Sequence, residues 1–89
     1  MSETFMWDEN KRRKTLTERG LDFADMAGFD WDNALTLEDA VSDPFELRFI
    51  SIGFLVNTLV VAVWCYRDTH TRIISLRRAT PKERRFYEQ

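Results

Sequence analysis

One cysteine, one histidine and no internal repeat set the first limits on this chain of 89 residues. A lone Cys65 forms no disulfide within the chain, and no spacing typical of metal ligands is present. Its place inside an apolar run reads as a core cysteine rather than a nucleophile. The lack of a disulfide framework fits a reducing, cytoplasmic setting. The single histidine, His70, excludes any mechanism in which two imidazoles act as acid and base. The N-terminus is acidic and lacks an apolar h-region, so no signal peptide is expected. Long apolar runs are scarce too. The stretch 49–66 approaches the length of a membrane-spanning helix. Gly53 and Asn57-Thr58 interrupt it, and Val60, Val61 and Val63 favour a strand. Two strands joined by a tight turn near Val56-Asn57 are the preferred reading, with no membrane contact.

A hydrophobic fraction of 44% supports one modest core. The length lies near the lower end of what folds alone, so residues 1–89 read as a single domain. The net charge of −2 argues weakly against a nucleic-acid partner. The charge is polarised along the chain, however. Residues 1–45 carry five Lys/Arg against eleven Asp/Glu, and residues 46–89 carry eight against four. Such a split suggests two functional surfaces, unless the charges mix in the fold.

Local signals give the elements. Asp8 is a helix N-cap, and Glu9 suits the positive helix N-terminus. The helix runs to about Arg19, where Gly20 takes the left-handed C′ position and Leu21 can pack on Leu16. Asp22 with Asp25 starts a second, short helix that ends near Gly28, with Phe23, Met26 and Ala27 on one face. A weak strand is expected near 34–37, and Asp43-Pro44 breaks the chain. Strands follow over 47–55 and 59–66. Both faces of the second are apolar, the pattern of a covered central strand. Arg67-Asp68-Thr69-His70 turns into a strand carrying Arg72, Ile74 and Leu76 on one face. Thr80, Pro81 and Glu83 form an N-cap, first helical residue and capping box for a last helix. The fold class is therefore α+β: N-terminal helices packed on a small antiparallel β-sheet, with a C-terminal helix.

A cationic strand feeding a cationic helix points to phosphate, because guanidinium is always charged and matches phosphate geometry. With those pieces placed, the chain resembles the BrnT toxins, the ribonuclease half of BrnT/BrnA toxin–antitoxin pairs. The resemblance rests on Trp7-Asp8-Glu9-x-Lys11, on Gly20-Leu21-Asp22-Phe23, and on Glu46-x-Arg48-Phe49-x-x-Ile52-Gly53. It continues through Arg72-Ile73-Ile74-Ser75-x-Arg77-x-Ala79 and Glu83-Arg84-Arg85-x-Tyr87. These motifs lie in order over nearly the whole chain. The resemblance implies a RelE/ParE-like fold, metal-free RNA cleavage that inhibits translation, and no cofactor. It also implies neutralisation by a small BrnA-like antitoxin, through which DNA is met only indirectly. Where many members have Lys-His-Gly, this chain has Glu18-Arg19-Gly20.

Metal-free RNA cleavage needs a base for the 2′-OH, cations for the charge on the phosphorane, and an acid for the departing 5′-oxygen. Arg72 and Arg77 are the leading candidates for phosphate binding and charge stabilisation. Five residues apart, they lie on opposite faces of an ideal strand, so a common site requires a bulge or a strand end. Glu46 is a candidate base with Arg48 beside it on the same strand face; a surface ion pair is the competing reading. Lys11 is a candidate cationic group or an ordinary solvated lysine. Tyr87 stacks on a base, gives a proton, or packs beside Phe86. Lys11, Arg12, Arg13 and Lys14 form a basic run, and Arg12, Arg13, Arg78 and Arg85 lead the candidate RNA-backbone contacts, against the bland alternative of solvated faces. Trp31, flanked by Asp30 and Asp32, is the tryptophan expected to meet a protein partner.

Overall fold

In a computed structural model that describes residues 4–39 and 45–89, cap chemistry sets the helices. Helix α1 (Glu9–Arg19) starts where the Asp8 carboxylate accepts the N–H of Asn10 at 2.9 Å. It stops at Gly20, whose φ of 69° lets its N–H reach the carbonyl of Leu16 at 3.0 Å. Helix α2 (Pro81–Tyr87) opens on the expected capping box: Thr80 Oγ accepts from Glu83 N–H, and the Glu83 carboxylate accepts from Thr80 N–H. Between them, Asp22 caps a 3₁₀ helix (Phe23–Gly28), accepting the N–H of Ala24 at 2.9 Å. Residues three apart eclipse in that winding, so Phe23 and Met26 point the same way, and both are fully buried.

Five strands form one sheet in the order β1-β5-β4-β3-β2. They are β1 (Phe5–Met6), β2 (Leu35–Asp39), β3 (Arg48–Leu55), β4 (Thr58–Arg67) and β5 (His70–Arg78). The meander β3–β4–β5 is antiparallel, as the sequence predicts, and β2 lies antiparallel outside β3. The sheet as a whole is mixed, however, because β1 runs parallel to β5 through Phe5↔Thr71 and Met6↔Arg72. Two residues carry no periodic signal, and their partner lies far along the chain.

A second correction concerns the N-terminal helices, which do not pack on the sheet as a pair. None of α1 is buried, and Leu16, its one large apolar residue, is 41% exposed. Its sequence, ENKRRKTLTER, has no apolar stripe to bury. Polar contacts hold it along the outer edge of β5 instead. Arg19 Nη1 donates to the carbonyl of Leu76 at 2.9 Å, Arg78 donates to the carbonyl of Arg19, and Arg12 grips Asp22 through two bonds of 2.7 and 3.0 Å. The 3₁₀ helix does the covering. Phe23, Met26 and Phe29 pack with Val60, Ala62, Trp64, Ile73 and Leu76 in the main core.

On the other face, Ile52, Leu59 and Val61 lie with Ala79 and Tyr87, so β4 is the doubly covered central strand expected. Trp31 lies in a turn after the 3₁₀ helix. It is half-buried in an aromatic cluster, stacked on Phe5 at 6.0 Å and edge-on to Phe29 and Trp64 at 4.7 and 5.5 Å. Its Nε1 donates to the carbonyl of Met26. The stretch 49–66 is the β3–β4 hairpin, turning at Val56-Asn57 with Val56 at a φ of 56°. No helix among the described residues is long and apolar enough to cross a membrane. The break expected at Asp43-Pro44 lies outside the described residues.

Candidate functional site

A bulge organises the candidate residues. Along β5 the partner register runs Arg77↔Val61 and Ser75↔Val63, then Ile73↔Trp64 and Arg72↔Cys65, leaving Ile74 as the extra residue. Val61, Val63 and Cys65 alternate onto one face of β4, so Arg72 and Arg77 share that face despite their odd separation. They stand at different places on it. Their β4 partners are four residues apart, about 13 Å along the strand.

At the Arg72 end, Arg48, Cys65 and Arg72 form one cross-strand row. Arg67 projects from the same face of β4 two residues further on, and α1 brings Lys11 in from the side. Lys11, Arg48, Arg67 and Arg72, together with Asp8 and Glu46, line an open cleft of about 200 Å³. Glu46 is the hub. It accepts from Arg67 Nη2 at 2.5 Å and lies 3.5 Å from Arg48 Nε, which is buried and makes no hydrogen bond among the described residues. The Arg67 hydrogen bond, ahead of the charge attraction of both arginines, holds the Glu46 carboxyl below its usual range, so it stays ionised. Cys65 lies fully buried beneath. Burial first, then the Glu46 charge, raises its thiol pKa, which keeps it protonated and inert. Asp8 faces the same cleft while capping α1.

The structure thus brings four of the six expected catalytic residues together: Lys11, Glu46, Arg48 and Arg72. Arg77 and Tyr87 lie elsewhere on the same sheet face. Arg77 makes a two-pronged ion pair with Glu83 at 2.7 and 2.8 Å. Tyr87 packs edge-on to Phe54 at 5.8 Å within the apolar cluster under α2. Of the expected backbone contacts, Arg12 is committed to Asp22 and Glu9, and Arg13 pairs with Glu9 at 3.2 Å. Arg78 is bonded to the Arg19 carbonyl, and Arg85 is exposed on α2. Sequence reading missed Arg67, placing it in a turn. The signal was available in the alternation along β4, since 65 and 67 share a face. No group of three or more His, Cys, Asp or Glu among the described residues is arranged to hold a metal ion.

The Arg77–Glu83 pair makes a test of its own. The Arg77 hydrogen bonds, with help from the Thr80 N–H, lower the Glu83 pKa to about 2 from 4.5. A depressed carboxylate stabilises the fold above its unfolded pKa and loses that contribution as pH falls through the folded value. Glu83→Gln is therefore expected to lower stability at pH 7 by about 1–2 kcal/mol, the range of an N-cap partner plus a partly screened ion pair. In urea titrations across pH, the gap between the two proteins should close between about pH 4.5 and 2. A gap that persists unchanged at pH 2 refutes the assignment.

The profile of a family described as ribonuclease toxin, BrnT, of type II toxin–antitoxin system matches residues 7–83. The fold is similar to the crystal structure of the Brucella abortus ribonuclease toxin BrnT. The TM-score is 0.71 at 25% sequence identity, covering 88% of this chain and 97% of that one. No curated protein matches the chain.

Proposed function

The chain belongs to the family of BrnT ribonuclease toxins of type II toxin–antitoxin systems, and from that premise we propose that it is an endoribonuclease that cuts RNA without a metal at the Lys11–Glu46–Arg48–Arg67–Arg72 cleft. The observation that carries the proposal is the convergence of four cations from three strands and one helix on a single open cleft. A fold seeking stability alone would not gather like charges there.

The chemistry follows from the groups present. Arg72, Arg48 and Arg67 bind the scissile phosphate and offset the charge that grows on its oxygens. The 2′-oxygen attacks phosphorus, the bond from phosphorus to the 5′-oxygen breaks, and a 2′,3′-cyclic phosphate forms. The 2′-OH proton passes to Glu46, and the Lys11 ammonium gives one to the departing 5′-oxygen. Glu46, held ionised by its arginines, is a weak base. Most of the acceleration therefore falls to positioning and charge stabilisation. The two carboxylates of the cleft are already engaged, Glu46 by arginines and Asp8 by helix N–H groups, which supports cations rather than a metal as the phosphate-binding groups. Arg77 and Tyr87 support the site from outside it, Arg77 by anchoring α2. RNA cleavage of this kind inhibits translation, and its natural restraint is a BrnA-like antitoxin in the cytoplasm. Any contact with operator DNA is made through that partner.

The test is cleavage of single-stranded RNA by the purified chain in EDTA, with the product ends identified. Fragments with 2′,3′-cyclic phosphate and 5′-hydroxyl ends are expected. Intact RNA after incubation with folded, partner-free protein would favour a different reading, in which Glu18-Arg19 marks a catalytically weak subunit that serves autorepression with its antitoxin.

A further inference from the structure

Helix α1 borders the sheet with an unusual face, on which Lys11, Lys14 and Glu18 are exposed. A surface helix normally aims an apolar stripe inward. α1 instead aims Lys11, Lys14, Thr15 and Glu18, spaced three and four apart, at the edge of β5. These side chains, with Arg19, Ile74 and Ser75, enclose an open groove of about 290 Å³. The groove shares Lys11 and Ile74 with the cleft, so the two form one continuous trough. Lys11, Lys14, Arg19, Arg48, Arg67 and Arg72 line it against three carboxylates, Asp8, Glu18 and Glu46. Neither Lys11 nor Lys14 makes an ion pair among the described residues.

The stripe contributes nothing to the core, since α1 buries no residue. Its caps, the Arg12–Asp22 pair and the Arg19–Leu76 bond hold the helix in place without it. An exposed pair of lysines along an open groove, beside Arg19, is placed to meet a phosphate backbone. We propose that the groove is a second phosphate subsite, where Lys14 and Arg19, with the hydroxyls of Thr15 and Ser75, hold the RNA backbone beyond the scissile bond. This rests on the RNA-cleaving function proposed above and adds a place for the rest of the strand. α1 rises about 12 Å from Lys11 to Arg19, longer than the step between successive phosphates. The lining contains no aromatic ring on which a base would stack. The contact is therefore made to backbone, tolerant of sequence and sensitive to salt.

Lys14→Ala isolates the groove. Alanine suits a helix interior, and among the described residues Lys14 makes no ion pair whose loss would disturb the fold. Binding of 2′-O-methyl RNA, which has no attacking hydroxyl, is measured across a salt series for an octanucleotide and a dinucleotide. For the octanucleotide, Lys14→Ala should weaken binding several-fold and lower the log–log salt slope by about 0.7, the value for one phosphate contact on a single strand. Dinucleotide binding should be unchanged, and Lys14→Arg should restore the slope. An unchanged octanucleotide slope, or an equal loss on both lengths, overturns the subsite. If the wild type cleaves ordinary RNA in that case, the proposed function stands and only the groove falls. Wild-type protein that neither binds nor cleaves RNA overturns both.

Discussion

Arg72→Ala is expected to reduce RNA cleavage by about 10²–10³-fold, the loss typical of removing one preorganised donor from a developing oxyanion. Arg77→Ala should reduce it less than about tenfold, and mainly through stability. Sequence alone ranks the two arginines equally, because both sit in one basic strand before the same helix. The bulge at Ile74 then puts them on one face, and the strand rise separates them. Arg72 reaches the cleft with Lys11, Arg48 and Arg67, whereas Arg77 has both guanidinium prongs on Glu83. Both prongs of Arg77 are spent on a carboxylate of its own, whereas the four cations of the cleft share two carboxylates and keep a net positive charge for a phosphate. The measurement is initial cleavage rate at fixed folded concentration, with urea midpoints taken alongside. Equal loss in two equally folded variants would move the proposed site toward α2. Retained activity in Arg72→Ala would remove Arg72 from it.

What the sequence conveyed was local chemistry. Asp8, Gly20 and the Thr80–Glu83 box each act over a few residues, so both helices were legible at their ends. Strands β3 and β4 were legible from their apolar runs, and the odd spacing of Arg72 and Arg77 left a bulge or a strand end as the two ways to bring them together. What escaped was non-local. β1 is two residues long and pairs with Thr71 and Arg72, far along the chain. Asp22 looks like a cap alone, yet it also anchors α1 through Arg12. Trp31 sits in an acidic stretch that suggests exposure, but Phe5, Phe29 and Trp64 enclose it from three separate segments. The cleft lies between these cases. Glu46 and Arg48 were readable as neighbours, and Arg72 as a candidate phosphate ligand. That Arg67 and Lys11 join them depends on strand register and on where α1 lies.

Gly53→Val is expected to destabilise the fold by about 3 kcal/mol, at the upper end of overpacking costs. That is a large share of the roughly 5–15 kcal/mol that holds a domain together. A Cβ built on Gly53 would stand 2.8 Å from Phe29 Cζ, 3.2 Å from Phe29 Cε1 and 3.1 Å from the Ala34 Cβ. The ring has nowhere to go. The Phe29 backbone is bridged to Leu55, the next residue's N–H donates to the Phe54 carbonyl at 3.0 Å, and the ring meets Trp31 edge-on at 4.7 Å. Adding side-chain atoms ordinarily strengthens a strand, since glycine there costs about 0.5–1 kcal/mol; here the clash outweighs that gain. Phe29→Ala, which opens the space, should cost about 3 kcal/mol alone. If ring and side chain compete for one volume, the double variant should lose at least about 1 kcal/mol less than the sum of the two singles, the coupling expected of residues in direct contact. Additive losses in urea unfolding would refute the shared volume. Coupled losses make the Ile52-Gly53 step a requirement of packing rather than of the cleft, and the activity of Gly53→Val should then fall only in proportion to its folded fraction.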